Sequence, residues 1–138
     1  MKLALKIVLS VLALYVVLVV VFETWLGYSQ PRGDNNLVIT VTEDDGSQTK
    51  RVLSLFESQG DLYLAANHWP RDWFRQIQRN PEIHIEFGEA HDAQSGNYLA
   101  VPVEGALHDQ VLEDNRLPLF ARILMGFPPR EFVRLDPR

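Results

Sequence analysis

The sequence contains no cysteine, which excludes disulfides, thiolate zinc sites, iron–sulfur clusters and a cysteine nucleophile. The lack of thiols does not fix the compartment, because a domain outside the cytoplasm can also do without them. Basic residues are outnumbered, with 13 Lys and Arg against 18 Asp and Glu. At a net charge of −5 the chain lacks the cationic surface that displaces counterions from a phosphate backbone, which argues against nucleic-acid binding. Several catalytic signatures are missing as well. There is no Gly-x-Gly-x-x-Gly, no phosphate-binding P-loop, no His-Glu-x-x-His and no Gly-x-Ser-x-Gly elbow. At 138 residues there is room for one core.

What is present begins with a long apolar run. From Leu3 to Phe22 only Lys6 and Ser10 interrupt it. With Trp25, Leu26 and Tyr28 added, the stretch reaches the roughly 20 residues needed to cross the hydrocarbon of a bilayer. Lys6 can snorkel towards the near headgroups, and Trp25 and Tyr28 stand where an aromatic belt is expected. Residues 1–29 therefore read as a single-pass transmembrane anchor, with membrane lipid as its partner. A cleaved signal peptide is the competing reading, with Gly27 and Ser29 as weak cleavage-site residues. Lys2 and Lys6 precede the span and Glu23 follows it. This bias places the soluble domain on the periplasmic or extracellular side.

Residues 30–36 form a polar, turn-rich linker, and 37–138 form the soluble domain. Leu37 to Thr42 alternates apolar and polar residues and reads as a strand. Asp44-Asp45-Gly46-Ser47 supplies a hairpin turn, followed by a strand from about Thr49 to Phe56. Ser58-Gln59-Gly60-Asp61 turns the chain into a third strand, Leu62 to Ala66. Pro70 opens a short helix, Arg71 to Arg79, with Trp73, Phe74 and Ile77 on one face, and Asn80-Pro81 stops it. Glu82 to Phe87 alternates strictly. Tyr98 to Val103 is a fifth strand, where Pro102 suggests an edge or a bulge. A helical stretch from about Asp109 to Met125 is interrupted near Leu117-Pro118, and Glu131 to Leu135 closes the domain as a strand. The expected fold is mainly β: about six antiparallel strands with two short helical segments, in a small barrel rather than a doubly wound sheet.

Few residues offer chemistry. His84 and Glu86 share a strand face with Glu82, as metal ligands could, but the solvent face of a half-buried strand has the same pattern and is favoured. Arg71, Arg75 and Arg79 form a basic row, read as a solvated helix face or as an anion-facing stripe. Lys50 and Arg51 form a second basic pair on a strand, where they point to opposite faces, so at most one serves a given site. Asn67-His68-Trp69-Pro70 leads into a helix N-terminus, whose free N–H groups favour an anion. There His68 and Trp69 could stack on a flat ring, or Trp69 could pack against Trp73 as a plain corner.

The strings Gly60-Asp61-Leu62-Tyr63-Leu64-Ala65-Ala66-Asn67 and Trp73-Phe74-Arg75-Gln76-Ile77-Gln78-Arg79-Asn80-Pro81-Glu82-Ile83-His84-Ile85 resemble the deazaflavin (F420)-dependent nitroreductase family. That family belongs to the split β-barrel flavin-binding superfamily, with the pyridoxamine-phosphate-oxidase-like proteins. Phe127 to Pro137 also looks like the family's closing strand. The resemblance covers about residues 37 to 137. It implies a split β-barrel, with F420 or FMN as cofactor and hydride transfer to a quinone or nitro compound. By the same resemblance, Lys50 and Arg51 meet the cofactor phosphates, with Gly46-Ser47 as a remnant of the family's phosphate segment. Asn67, His68 and Trp69, with Trp73 at the end of their loop, present backbone N–H groups to the same cofactor. Trp73, Asn80 and Pro81 also set the helix against the barrel. Split-barrel relatives are often dimers, so a homodimer is the expected assembly. The alternative function is a non-catalytic, membrane-tethered binding module that has lost its cofactor.

Overall fold

The computed structural model describes residues 2–29, 35–43, 45–67, 72–88 and 91–138. The described residues form ten elements in the order α1 (Lys2–Ser29), β1 (Asn36–Thr42), β2 (Gln48–Ser58), β3 (Asp61–Ala66), α2 (Asp72–Arg79), β4 (Glu82–Phe87), β5 (Gly96–Pro102), α3 (Gly105–Asp114), α4 (Leu119–Leu124) and β6 (Glu131–Pro137). The strands close into an antiparallel barrel in the order β1-β2-β3-β6-β5-β4. Closure gives every strand two neighbours in the sheet.

The turns follow from backbone sterics. Gln59 and Gly60 both have positive φ, 52° and 88°. That pair of left-handed residues makes the two-residue turn whose twist matches a β-hairpin, and Ser58 pairs with Asp61 across it. Pro102 lies at the end of β5 rather than on an edge strand. β4 pairs with β5 only from Gly96 to Leu99, so the missing N–H of Pro102 interrupts no bond of that ladder.

The core is built from the inward half of each alternating strand. Leu37, Ile39 and Val41 of β1 meet Ile83 and Ile85 of β4, Leu64 and Ala66 of β3, and Val133 and Leu135 of β6. α2 buries Trp73, Phe74 and Ile77 in the same cluster. A second cluster lies where α3 covers the other face of β3 and β6, with Val111 against Tyr63, Val103 and Phe132. α3 begins at Gly105 rather than near Asp109. Gly105 itself has φ 61°, and Glu104 before it makes no side-chain cap, so neither gives the usual sequence signal of a helix start.

The chain divides into two compact units. One joins α1 to the Leu117–Pro128 segment that carries α4; the other holds all six strands with α2 and α3. α1 is apolar and long enough to cross a membrane, as a span or a signal sequence would be.

Arg134 and Asp136 make a two-pronged ion pair along β6, Nε to Oδ1 at 2.7 Å and Nη2 to Oδ2 at 3.1 Å. The hydrogen bond from Arg134 holds the Asp136 carboxyl below its ordinary value. A carboxyl with a depressed folded value stabilises above the unfolded value of about 3.9, and that contribution is lost as pH falls through the folded one. Both side chains are over a third exposed, so Asp136→Asn is expected to cost under about 1 kcal/mol at pH 7. It is also expected to flatten the stability loss below pH 4. Urea unfolding of both proteins at pH 7 and pH 3 checks this.

Candidate functional site

β2 changes partner partway along its length. Its residues 48–54 pair with β1 and its residues 55–58 with β3. Beyond Leu55 the β2–β3 ladder stops, and the inward-facing side chains of the first half of β2 are Thr49, Arg51 and Leu53, opposite Val41, Ile39 and Leu37. Because Leu55 stands opposite Leu64, the chain running back to Arg51 and on to Asn67 leaves that ladder at one end.

α2 is buttoned to the β1–β2 hairpin at this end. Glu43 accepts hydrogen bonds at one oxygen from Thr49 Oγ1, at 3.2 Å, and from the Gln76 amide. Asn80 Nδ2 donates to the Thr42 carbonyl at 3.0 Å. Two polar atoms here are buried without a hydrogen-bond partner among the described residues: the Nε of Arg51 and the Oε1 of Gln76. A buried donor or acceptor left unmade costs about 1–3 kcal/mol, so such atoms are uncommon in a structure built for stability alone.

The other residues singled out in the sequence are distributed as follows. Lys50 points to the opposite face of β2, exposed, and its Nζ donates to Glu86 Oε1 at 2.8 Å. That hydrogen bond and charge lower the Glu86 pKa. Asn67 follows β3, and its Oδ1 accepts from Arg130 Nε at 2.7 Å. Trp73 is a core residue, 7% exposed. His68 and Trp69 lie outside the described residues. Ser47 is already engaged, since its hydroxyl and N–H both donate to Asp45 Oδ1, at 2.6 and 2.8 Å. These bonds lower the Asp45 pKa, and they occupy the donors that a phosphate at Gly46-Ser47 would use. In the basic row, Arg75 reaches Asp72 at 3.4 Å, and Arg71 lies outside the described residues.

On the outer face of β1, β4 and β5 lies an open groove of about 1020 Å³, lined by Thr40, Thr42, Glu82, His84, Asn97 and Arg138 among others. Its side chains are largely paired with each other. His84 Nδ1 sits 3.0 Å from Asn97 Oδ1, and Arg138 Nη1 donates to Glu82 Oε1 at 2.6 Å.

Sequence reasoning missed Glu43 and Arg130. Glu43 is the last residue before the hairpin turn, where an acidic side chain reads as turn chemistry. Its role depends on Gln76, 33 residues away. Arg130 follows two prolines and gives no local signal, yet its guanidinium lies over the rings of Phe56 and Phe132, at 5.5 and 5.0 Å. Burial pushes its pKa down.

A closed six-stranded antiparallel barrel whose second strand divides its pairing between two neighbours is a split β-barrel. Solved structures carry the same fold. An F420-H2-dependent reductase, FDR-A, superimposes with TM-score 0.56 at 16% identity, over 74% of this chain and 94% of its own. The haem storage protein HutZ from Vibrio cholerae gives 0.51 at 18%, over 76% and 82%. A putative pyridoxamine 5′-phosphate oxidase from Listeria innocua gives 0.54 at 15%, over 86% and 94%. No protein-family model matches the chain, and no curated protein matches it in sequence. The resemblance drawn from the sequence strings and these structural likenesses agree on the fold.

Proposed function

We propose that this chain is a membrane-tethered split-barrel oxidoreductase that binds F420 or FMN and reduces a quinone or nitro compound. The observation that carries the reading is Arg51, a cation on the inner face of β2 whose buried Nε has no hydrogen-bond partner among the described residues. An anionic cofactor group would satisfy it, as guanidinium groups satisfy phosphate and carboxylate oxygens. Gln76 Oε1 supplies a free acceptor for a ring N–H or ribityl hydroxyl. The bound cofactor would supply hydride transfer. Arg51 would orient its anionic end, and Trp73, Phe74 and Ile77 would hold α2 in place behind it. An apolar helix at the N-terminus suits a lipophilic acceptor such as a quinone. The domain is assigned to the periplasmic or extracellular side from Lys2 and Lys6 before the span. The assembly is read as a homodimer, in line with a domain-swapped dimer among the structural neighbours.

Two contacts favour a second reading, a binding module without a cofactor. Lys50 is held by Glu86, and Ser47 by Asp45, so two of the expected phosphate donors are already paired. Titrating the full chain in detergent micelles with F420, FMN and haem, read by tryptophan quenching, separates the readings. The oxidoreductase reading expects F420 or FMN to bind, and Arg51→Ala to weaken binding about 10- to 100-fold, the value of a charge-assisted hydrogen bond of about 1.5–3 kcal/mol. Since Arg51 Nε bonds nothing among the described residues, Arg51→Met should leave thermal stability unchanged or raised. Binding that is absent, or indifferent to Arg51, leaves the module.

A further inference from the structure

We propose that the Leu117–Pro128 segment is a second membrane-inserted element, lying against α1 with its outward apolar face in the lipid. The proposal rests on the membrane reading of α1 and extends it to a part of the chain that the sequence assigns to the soluble domain.

Apart from Arg122 the segment is apolar all round. Leu117, Ala121, Leu124 and Met125 are half-buried or buried, and the opposite side presents Leu119, Phe120, Ile123 and Phe127, which are 64%, 67%, 40% and 49% exposed. Arg122 is its one charged residue, and the guanidinium lies over the Phe127 ring at 5.5 Å. A helix with apolar residues on every face belongs in a core or in a membrane. Twelve residues are too few to span and fit a re-entrant or interfacial element.

What covers the outward face follows from α1. α4 packs against α1, and Tyr15 donates its hydroxyl to the Ile123 carbonyl at 2.9 Å. Among the described side chains of α1, only Tyr15, Val19, Phe22, Glu23 and Leu26 are less than exposed, a single stripe at helical spacing. Leu119, Phe120, Ile123 and Phe127 therefore continue the apolar surface that α1 would present to lipid. Tyr15 stands about midway along α1, so the segment meets the span at depth and not only at its rim.

The backbone is prepared for low dielectric, where an unpaired carbonyl or N–H costs several kcal/mol. The carbonyl of Pro118 accepts from Ala121 and Arg122, that of Ala121 from Met125, that of Arg122 from Phe127, and that of Ile123 from Gly126 and from Tyr15. Pro118 at the start and Pro128 at the end carry no N–H to satisfy.

The absence of native cysteine makes single-cysteine labelling clean. The full chain, carrying an environment-sensitive fluorophore at Leu12→Cys, Phe120→Cys, Phe127→Cys or Asp92→Cys, is reconstituted in phosphatidylcholine vesicles with and without brominated acyl chains. Quenching at 120 and 127 that matches position 12 and is several-fold above the barrel position 92 is the expected result. Quenching at 12 with none at 120 and 127 would overturn this proposal and leave the α1 span intact. Unquenched 120 that forms a disulfide between two chains would assign the face to a second copy and also overturn it. No quenching at any position would remove the α1 span, and this proposal with it.

Discussion

Trp73→Ala is expected to destabilise the barrel by about 3–5 kcal/mol, the range for emptying a large aromatic side chain from a packed core. The loss is large against the 5–15 kcal/mol that holds a typical domain folded. Trp73 shares the main core with Ile77, Ile39 and Ile85 and stands edge-on to Phe74, with ring centres 5.9 Å apart at 86°. Its removal opens a cavity at the base of α2, and α2 sets the position of Gln76 on Glu43. The measurement is urea unfolding of the full chain in micelles, with the midpoint falling and the slope unchanged. Trp73→Phe should recover much of the loss, because a ring still fills the site. A loss below about 1 kcal/mol for alanine, the scale of a surface substitution, would move Trp73 out of the core and back to the cofactor role implied by the family resemblance. The same pair of variants therefore separates a packing role from a binding one.

The local elements were legible for physical reasons that act within a few residues. Strict alternation from Glu82 to Phe87 marks β4 to both its ends, and Asp45-Gly46 and Gln59-Gly60 mark hairpins because glycine accepts positive φ. Pro118 marks the break between α3 and α4 for the opposite reason, having no N–H to continue a helix. A small barrel was legible from the order of elements and from the family resemblance, but the strand order was not, since the slot of β6 between β3 and β5 is set by pairings such as Leu64 with Val133, which no local pattern encodes. The candidate site was legible in part. Period-two alternation already put Lys50 and Arg51 on opposite faces; which face is inward depends on the register of Arg51 against Ile39. The apolar segment around α4 read only as the second part of a helical stretch of the soluble domain, because periodicity shows where apolar residues fall and not what lies opposite them. Arg130 was invisible because its partners Phe56, Asn67 and Asn115 come from three separate elements or loops.

That invisibility makes Arg130 the sharper test of how the barrel is held together. The guanidinium donates to Asn67 Oδ1 at 2.7 Å through Nε and to the Asn115 carbonyl at 2.5 Å through Nη1. Its plane lies near Phe56 and Phe132, and His108 Nε2 approaches the Arg130 carbonyl at 2.8 Å. The contacts found among the described residues include no carboxylate, and Nη2 is buried with no partner. The charge is therefore held by neutral oxygens and two aromatic faces, which compensate its desolvation only in part. Arg130→Ala leaves both oxygens without this donor and empties the space beside two rings, at an expected cost of about 2–4 kcal/mol. Arg130→Met keeps most of the volume and discards the buried charge, so it should cost clearly less than alanine. Arg130→Lys keeps the charge but loses the planar fork, and should fall near alanine. Thermal unfolding of the three variants orders them Met, then Lys and Ala. If Lys instead matches the native protein while Met falls to the level of Ala, the charge itself is what the barrel needs at this position. Arg130 would then have an anionic counterpart beyond the Asn67 and Asn115 oxygens.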